Sequence, residues 1–175
     1  GHKRLAIIDV SDAGLQPMES VAEDLVIAYN GEIYNYREIR NELVSLGLTF
    51  KTGTDTEVIL NAWLTWGKEC ILKFNGMFAF AYFDHSKQKV LIGRDRLGKK
   101  PLFFALKDSH LYWASTIEAL RKIITTIEVN TNSIFSYLAF GYTIDTSTIY
   151  KEIYAVKPGY CYEVQADYNY GRRQQ

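Results

Sequence analysis

Residues 29–35, Tyr-Asn-Gly-Glu-Ile-Tyr-Asn, carry the groups in this sequence best suited to acyl chemistry. The Asn30 carboxamide and the Gly31 backbone N–H are adjacent neutral donors, the kind that an acyl-transfer site aims at a developing oxyanion. Glu32 adds a carboxylate suited to a substrate ammonium. An Asn-Gly pair is also the strongest short signal for a two-residue hairpin turn, so the pair by itself fits a site or a turn.

Its company decides between the two. Gly-His-Lys-Arg-Leu-Ala-Ile-Ile-Asp (1–9) precedes it, and Thr-Gly-Thr-Asp-Thr-Glu-Val-Ile-Leu (52–60) follows. Asn-Gly-Met-Phe-Ala-Phe-Ala (75–81) and Gly-Arg-Asp-Arg-Leu-Gly-Lys-Lys-Pro-Leu (93–102) come next. In this order and spacing the set resembles the glutaminase domain of glutamine-hydrolysing asparagine synthetases, a class II, N-terminal-cysteine amidotransferase domain. The resemblance runs to about Val164.

It implies L-glutamine as substrate, with Asn30 and Gly31 as the oxyanion donors. Arg4 would clamp the α-carboxylate through two parallel N–H bonds, a geometry that lysine cannot match. Asn30, Glu32 and Asp55 complete the implied substrate contacts, the two carboxylates facing the α-ammonium. Each residue also has a plainer reading: Arg4 as a surface ion-pair former, and Asp55 as a helix N-cap. Tyr34, Asn35 and Tyr36 fit capping and packing better than catalysis. His2, His85 and His110 are not expected to be catalytic, since this family uses the nucleophile's own α-amine as base. The triplet Arg94, Asp95 and Arg96 reads as a structural ion-pair group.

The family's nucleophile is a cysteine at the very N-terminus, followed downstream by an Arg-Gly-Pro-Asp stretch. Neither is found here, so the sequence reads as truncated at its N-terminus and inactive by itself. Cys70 and Cys161 cannot offer a free α-amine. Nor is there a Ser-Gly-Gly-x-Asp loop, so ATP and magnesium are expected on a synthetase domain in cis. No metal or cofactor is expected in this domain. A homodimer is the assembly the resemblance implies for the parent protein. Ser-Thr-Ile-Glu at 115–118 departs from the family's usual Ser-Glu-Ile-Lys. Two other readings stay open: a paralogue amidating a sugar or another carboxylate, and a non-catalytic scaffold domain that has kept the fold.

Elements able to position these groups are legible in the periodicity. Apolar runs predict buried strands over 4–10 and 25–29, with a loop over 11–21. Asn35 with Glu38, and Thr54 with Glu57, form capping-box patterns ahead of helices that stop at Gly47 and Gly67. The first helix would bury Ile39, Leu43 and Leu46, and the second Ile59, Ala62, Trp63 and Trp66. From Met77 the period becomes two, predicting strands over 77–84 and 89–94 and a hairpin over 102–106 and 111–114. Ser115 and Glu118 cap a predicted helix over 117–124. A helix over 132–140 and a strand over 160–164 follow. The pattern is α+β. The resemblance sharpens it to the four-layer αββα sandwich of N-terminal-nucleophile hydrolases, lacking its first strands. Residues 1–164 would be the glutaminase domain and 165–175 the start of a linker.

Composition fits one ordinary domain: 175 residues, 47% of them hydrophobic. The 20 basic and 20 acidic residues cancel, and no basic run interleaves with aromatics, which argues against nucleic acid as a partner. No apolar run reaches membrane-spanning length and no signal peptide opens the sequence, so a cytoplasmic protein with no membrane partner is expected. The two cysteines, far apart, read as buried free thiols in a reducing compartment.

Overall fold

The computed structural model describes residues 2, 8, 14–20 and 24–165. Arg4 and, Ile8 apart, the predicted strand over 4–10 lie outside the described residues. The chain divides into two compact units: Gly1–Gly76, Phe80–Ile92 and Glu163–Gln175 form the first, and Met77–Ala79 with Gly93–Tyr162 the second.

In the first unit, strand β1 (Met18–Glu19) pairs antiparallel with β2 (Leu25–Ile33), Met18 opposite Ile27. The predicted loop over 11–21 therefore contains a strand, too short to leave a periodic signal. The sheet continues as β1-β2-β3-β4-β8, with β3 at Gly76–Asp84, β4 at Lys89–Arg94 and β8 at Cys161–Gln165. Along β2 the residues Leu25, Ile27, Tyr29 and Ile33 are buried, while Val26, Ala28, Asn30 and Glu32 are half-buried. That is the period-two pattern of a sheet with one fully covered face.

Helix α1 (Tyr36–Ser45) buries Ile39 and Leu43. Leu46, expected on the same face, is 56% exposed, because the helix ends before it and Gly47 turns the chain away at φ 91°. Helix α2 (Asp55–Trp66) begins as predicted: Thr54 Oγ1 accepts from the Glu57 N–H at 3.1 Å. The Glu57 carboxylate reaches back past the cap, to the N–H groups of Lys51 (2.8 Å) and Thr52 (2.6 Å). The helix buries Val58, Ile59, Leu60 and Ala62, and Trp63 stacks on Tyr82 at 4.5 Å between ring centroids. After a 3-10 turn at Gly67–Glu69, α3 (Cys70–Lys73) opens on the buried Cys70. Cys161 is exposed, so the expectation of two buried thiols holds for Cys70 and fails for Cys161, which sits at the first position of β8.

In the second unit, β5 (Phe103–Lys107) lies between β6 (His110–Ala114) and β7 (Tyr154–Ala155). Asp108 and Ser109 join β5 to β6 with φ of 51° and 61°, the two-residue turn that matches strand twist. Helix α4 (Ile117–Arg121) is capped by Thr116, which accepts from the Ala119 N–H at 3.3 Å, and not by Ser115. Leu120 packs with Ala105, Ile124 and Ile153 in the core. Helix α5 (Thr131–Phe140) is capped by Asn130 and ended by Gly141 in the left-handed region.

The expected ion-pair role of the 94–96 triplet gives way to backbone clamping for Arg94 and Asp95. The buried Asp95 carboxylate accepts from the N–H groups of Lys99 (2.9 Å), Lys100 (3.0 Å), Leu97 (3.1 Å) and Phe78 (3.3 Å). Arg94 donates to the carbonyls of Gly98 (2.5 Å), Lys100 (2.7 Å) and Val156 (3.1 Å). Gly98, at φ 64°, lies under this guanidinium, and an added Cβ would meet Pro158 Cγ at 2.7 Å. Backbone groups in a tight turn cannot be satisfied by the sheet, and here two charged side chains satisfy them instead.

Burial pushes the Asp95 carboxyl up, but the N–H donors of Lys100, Lys99, Phe78 and Leu97 outweigh it and hold it below its usual range. A depressed folded value stabilises above the unfolded one, about pH 3.9, and the benefit is lost as pH falls through the folded value. Asp95→Asn is therefore expected to cost about 2 kcal/mol at neutral pH. The gap to the unsubstituted protein should narrow in acid. Thermal unfolding of both proteins at pH 7 and pH 3 checks it; a gap constant with pH would contradict it.

Candidate functional site

Strand β2 runs unbroken through Asn30, Gly31 and Glu32 to the buried Ile33. The hairpin-turn reading of Asn-Gly is thereby overturned, because the chain does not reverse there. The strand predicted over 25–29 continues to Ile33, its last third having exchanged apolar residues for polar ones on one face. Alternation places the Asn30 and Glu32 side chains together on the face opposite Tyr29 and Ile33.

The same alternation sorts the backbone. Tyr34 donates its N–H to the Asn75 carbonyl at 2.7 Å, on the side of the sheet where β3 begins. The N–H groups of Tyr29, Gly31 and Ile33 point to the other edge, the β1 side, where β1 pairs Val26 and Ile27 and, among the described residues, no ladder partner follows. Side chains take over from that point. The Tyr29 N–H donates to Gln16 Oε1 at 2.5 Å, and the Ile33 N–H to Asp55 Oδ2 at 3.1 Å. Between these two, the Gly31 N–H has no side-chain acceptor among the described residues.

Asp55 is not the N-cap of α2; Thr54 is, and Asp55 occupies the first helical position. Its carboxylate, 6% exposed, also accepts the Tyr29 hydroxyl at 2.8 Å. One oxygen thus ties down both residues that flank Asn30, Gly31 and Glu32. Burial pushes the Asp55 carboxyl above its usual range, against the pull of the Ile33 N–H and the Tyr29 hydroxyl. Burial, then the Asp55 charge, pushes the Tyr29 phenol far up, so it remains a donor at any physiological pH.

The opposite side of the Glu32–Ile33 peptide is gripped sterically. A Cβ placed on Gly76 would stand 2.1 Å from the Glu32 carbonyl oxygen, so β3 can approach here only as glycine. Asn35, read as a helix cap, makes no cap bond. Its carboxamide staples the segment before β3, donating to the Lys73 carbonyl and accepting the Asn75 N–H, both at 2.9 Å.

The structure thus gathers Asn30, Gly31 and Glu32 on one strand and sets Asp55 against its neighbours; Arg4 lies outside the described residues. Gln16, Tyr29 and Gly76 were not anticipated. Gln16 lies in a segment without periodicity, and Tyr29 reads as an ordinary core aromatic. Gly76 carried a usable signal, a glycine at the first position of a strand. His85 packs edge-on against Phe83, and His110 Nδ1 lies 2.7 Å from the Asp108 carbonyl. Among the described residues no cluster of His, Cys, Asp and Glu could hold a metal ion, and no helix is long and apolar enough to cross a membrane.

A strand-borne amide and N–H pair, with carboxylates beside it, fits the motif order found in the sequence. Residues 1–174 match the family model described as Glutamine amidotransferase domain. The chain belongs to that family. Asparagine synthetase [glutamine-hydrolyzing] 1 of Bacillus subtilis is 35% identical over 167 residues, covering 95% of this chain and 26% of the relative. Asparagine synthetase B [glutamine-hydrolyzing] of Escherichia coli is 44% identical over 129 residues, covering 73% of this chain and 23% of the relative. The chain therefore spans about a quarter of the length of these amidotransferase relatives. Among solved structures, the glutamine phosphoribosylpyrophosphate amidotransferase from Bacillus subtilis superposes with a TM-score of 0.57 at 18% identity, over 96% of this chain and 34% of that one. That likeness establishes a shared fold, of the expected α+β class with antiparallel sheets.

Proposed function

We propose that this amidotransferase domain is the glutaminase part of a glutamine-hydrolysing asparagine synthetase, releasing ammonia from glutamine for the amidation of aspartate. The reading is supported most by the edge of β2. There the N–H groups on either side of Gly31 are tied to Gln16 and Asp55, and the Asn30 carboxamide lies next to it.

A cysteine thiol would pass its proton to its own α-amine, attack the carboxamide carbon of glutamine as the thiolate and push the C=O electrons onto oxygen. The Gly31 N–H and the Asn30 amide donate to that oxygen. Collapse of the tetrahedral species breaks the C–N bond, and the nitrogen leaves as ammonia with a proton from the nucleophile's α-amine. Water then hydrolyses the glutamyl thioester to glutamate and free thiol. Glu32 and Asp55 supply negative charge for the substrate ammonium, and Arg4 the clamp for its carboxylate. Ammonia would pass to an aspartyl adenylate on a synthetase domain that binds ATP and magnesium, in a homodimeric parent protein.

Neither cysteine of the chain can be that nucleophile: Cys70 is buried at a helix start, and Cys161 stands mid-chain in β8. The full-length protein is therefore expected to make glutamate from glutamine, with aspartate and ATP supplied, and asparagine in equal amount. The 175-residue chain is expected to make neither above background. Coupled glutamate detection with amino-acid chromatography tests both. A full-length protein that amidates another acceptor points to a paralogue, and one with no glutaminase activity points to a scaffold.

A further inference from the structure

We propose that Gln16 is a positioning residue for glutamine hydrolysis, standing in for a missing sheet neighbour so that the Gly31 N–H stays available to the oxyanion. The inference rests on the glutaminase reading and adds a residue to it. A sheet strand normally hands every N–H on one edge to its neighbour, which would consume the Gly31 donor together with those of Tyr29 and Ile33. Here β1 pairs with Val26 and Ile27 and no farther. Gln16 lies just ahead of β1, and its Oε1 accepts the Tyr29 N–H at 2.5 Å. Its Nε2 donates in turn to Thr56 Oγ1 at 3.3 Å, in the first turn of α2. The next residue back, Asp55, takes the Ile33 N–H and the Tyr29 hydroxyl.

The start of α2, reached in part through Gln16, thus replaces a strand. It supplies acceptors to the N–H groups of residues 29 and 33 and, among the described residues, no side-chain acceptor to that of 31. A backbone neighbour could not skip one, because its acceptors repeat at every second residue. The strand is held straight on both sides of Gly31, whose N–H has no side-chain acceptor among the described residues. An oxyanion donor must sit within a few tenths of an ångström of the position where charge develops, and a shift of about 1 Å can cost 100-fold in rate. Losing the Gln16 acceptor leaves the Tyr29 N–H to find another partner and lets the Asn30–Gly31 peptide turn with it.

The test uses the full-length protein and steady-state glutamine hydrolysis. Gln16→Met keeps the side-chain length and removes the acceptor; it is expected to lower kcat about 10-fold or more with little change in glutamine KM. Gln16→Glu keeps an oxygen for the Tyr29 N–H and should recover most of that loss. A purely structural role would not distinguish the two in kcat at matched melting temperature. A folded Gln16→Met protein with unchanged kcat, a loss confined to KM, or equal impairment in both variants overturns the proposal. Should Gln16→Met fail to fold, Thr56→Val removes the second anchor of the same carboxamide and is expected to lower kcat at unchanged KM; full kcat there overturns it. If the unsubstituted full-length protein does not hydrolyse glutamine, the glutaminase reading falls and takes this inference with it. If it does and the variants behave like it, this inference falls and the reading stands.

Discussion

Asn30→Ala in the full-length protein is expected to lower glutamine-dependent kcat by about 100- to 1,000-fold, the loss seen when one oxyanion donor is removed. The donor serves a charge that exists chiefly in the transition state, so glutamine KM should move far less. Asparagine formation from added ammonia should survive, because that route needs no oxyanion on glutamine. The position is half-buried on the polar face of β2, away from the packed face that holds Tyr29 and Ile33, so truncation opens no cavity in that packed face. Asn30→Asp sharpens the test, since it keeps the shape and replaces a donor with an anion. Loss in both variants at near-normal melting temperature supports the oxyanion role. A stable Asn30→Ala protein with full kcat would remove Asn30 from the site.

Gly76→Ala is the substitution with the largest expected effect on stability. Its Cβ would stand 2.1 Å from the Glu32 carbonyl oxygen and 3.0 Å from Ile33 Cα, both backbone atoms that cannot swing aside as a side chain could. Forcing β2 and β3 apart there should cost about 3 kcal/mol or more, which for a domain of this size lowers the melting temperature by about 6–12 °C. Gly141→Ala is the matched control: its Cβ would meet nothing within 4 Å, and its cost comes from the left-handed backbone at φ 80° alone, about 1–2 kcal/mol. Equal melting temperatures for the two variants would mean that the close approach at Gly76 relaxes without penalty. Where Gly76→Ala still folds, glutamine KM reports whether Glu32 has moved.

Much of this fold is legible in the sequence because its elements carry strong periodic signals. Strands β3 and β4 and the hairpin of β5 and β6 alternate over enough residues to be read to within a residue or two. Thr54 announces α2 as a cap, and Gly67 marks its end. What escaped were polar contacts between segments distant in sequence. Asn35 matches a capping box locally, yet its carboxamide bonds Lys73 and Asn75, about 40 residues on. Asp55 resembles a cap in the same way, and its partners Tyr29 and Ile33 lie on the strand before α1. A side chain with two uses keeps the local one as its sequence signature, whichever it adopts. The turn reading of the Asn-Gly pair, already set aside by the neighbouring motifs, gives way for a related reason. Turn propensity describes a pair in isolation, and the sheet on either side of Gly31 overrides it.

Because Asn30, Gly31 and Glu32 sit in mid-strand, the domain bears changes of residue there far more readily than changes of length. Adding or deleting one residue between Tyr29 and Ile33 would exchange the two faces of everything beyond it, turning the Glu32 carboxylate into the packed side and Ile33 into solvent. It would also bring a different N–H opposite Asp55. The two-residue connection at Asp108 and Ser109, which only joins neighbouring strands, carries no such parity. Length variation among descendants of this sequence should therefore collect in hairpin tips such as that one, while the stretch from 24 to 35 stays fixed in residue count even where its letters drift.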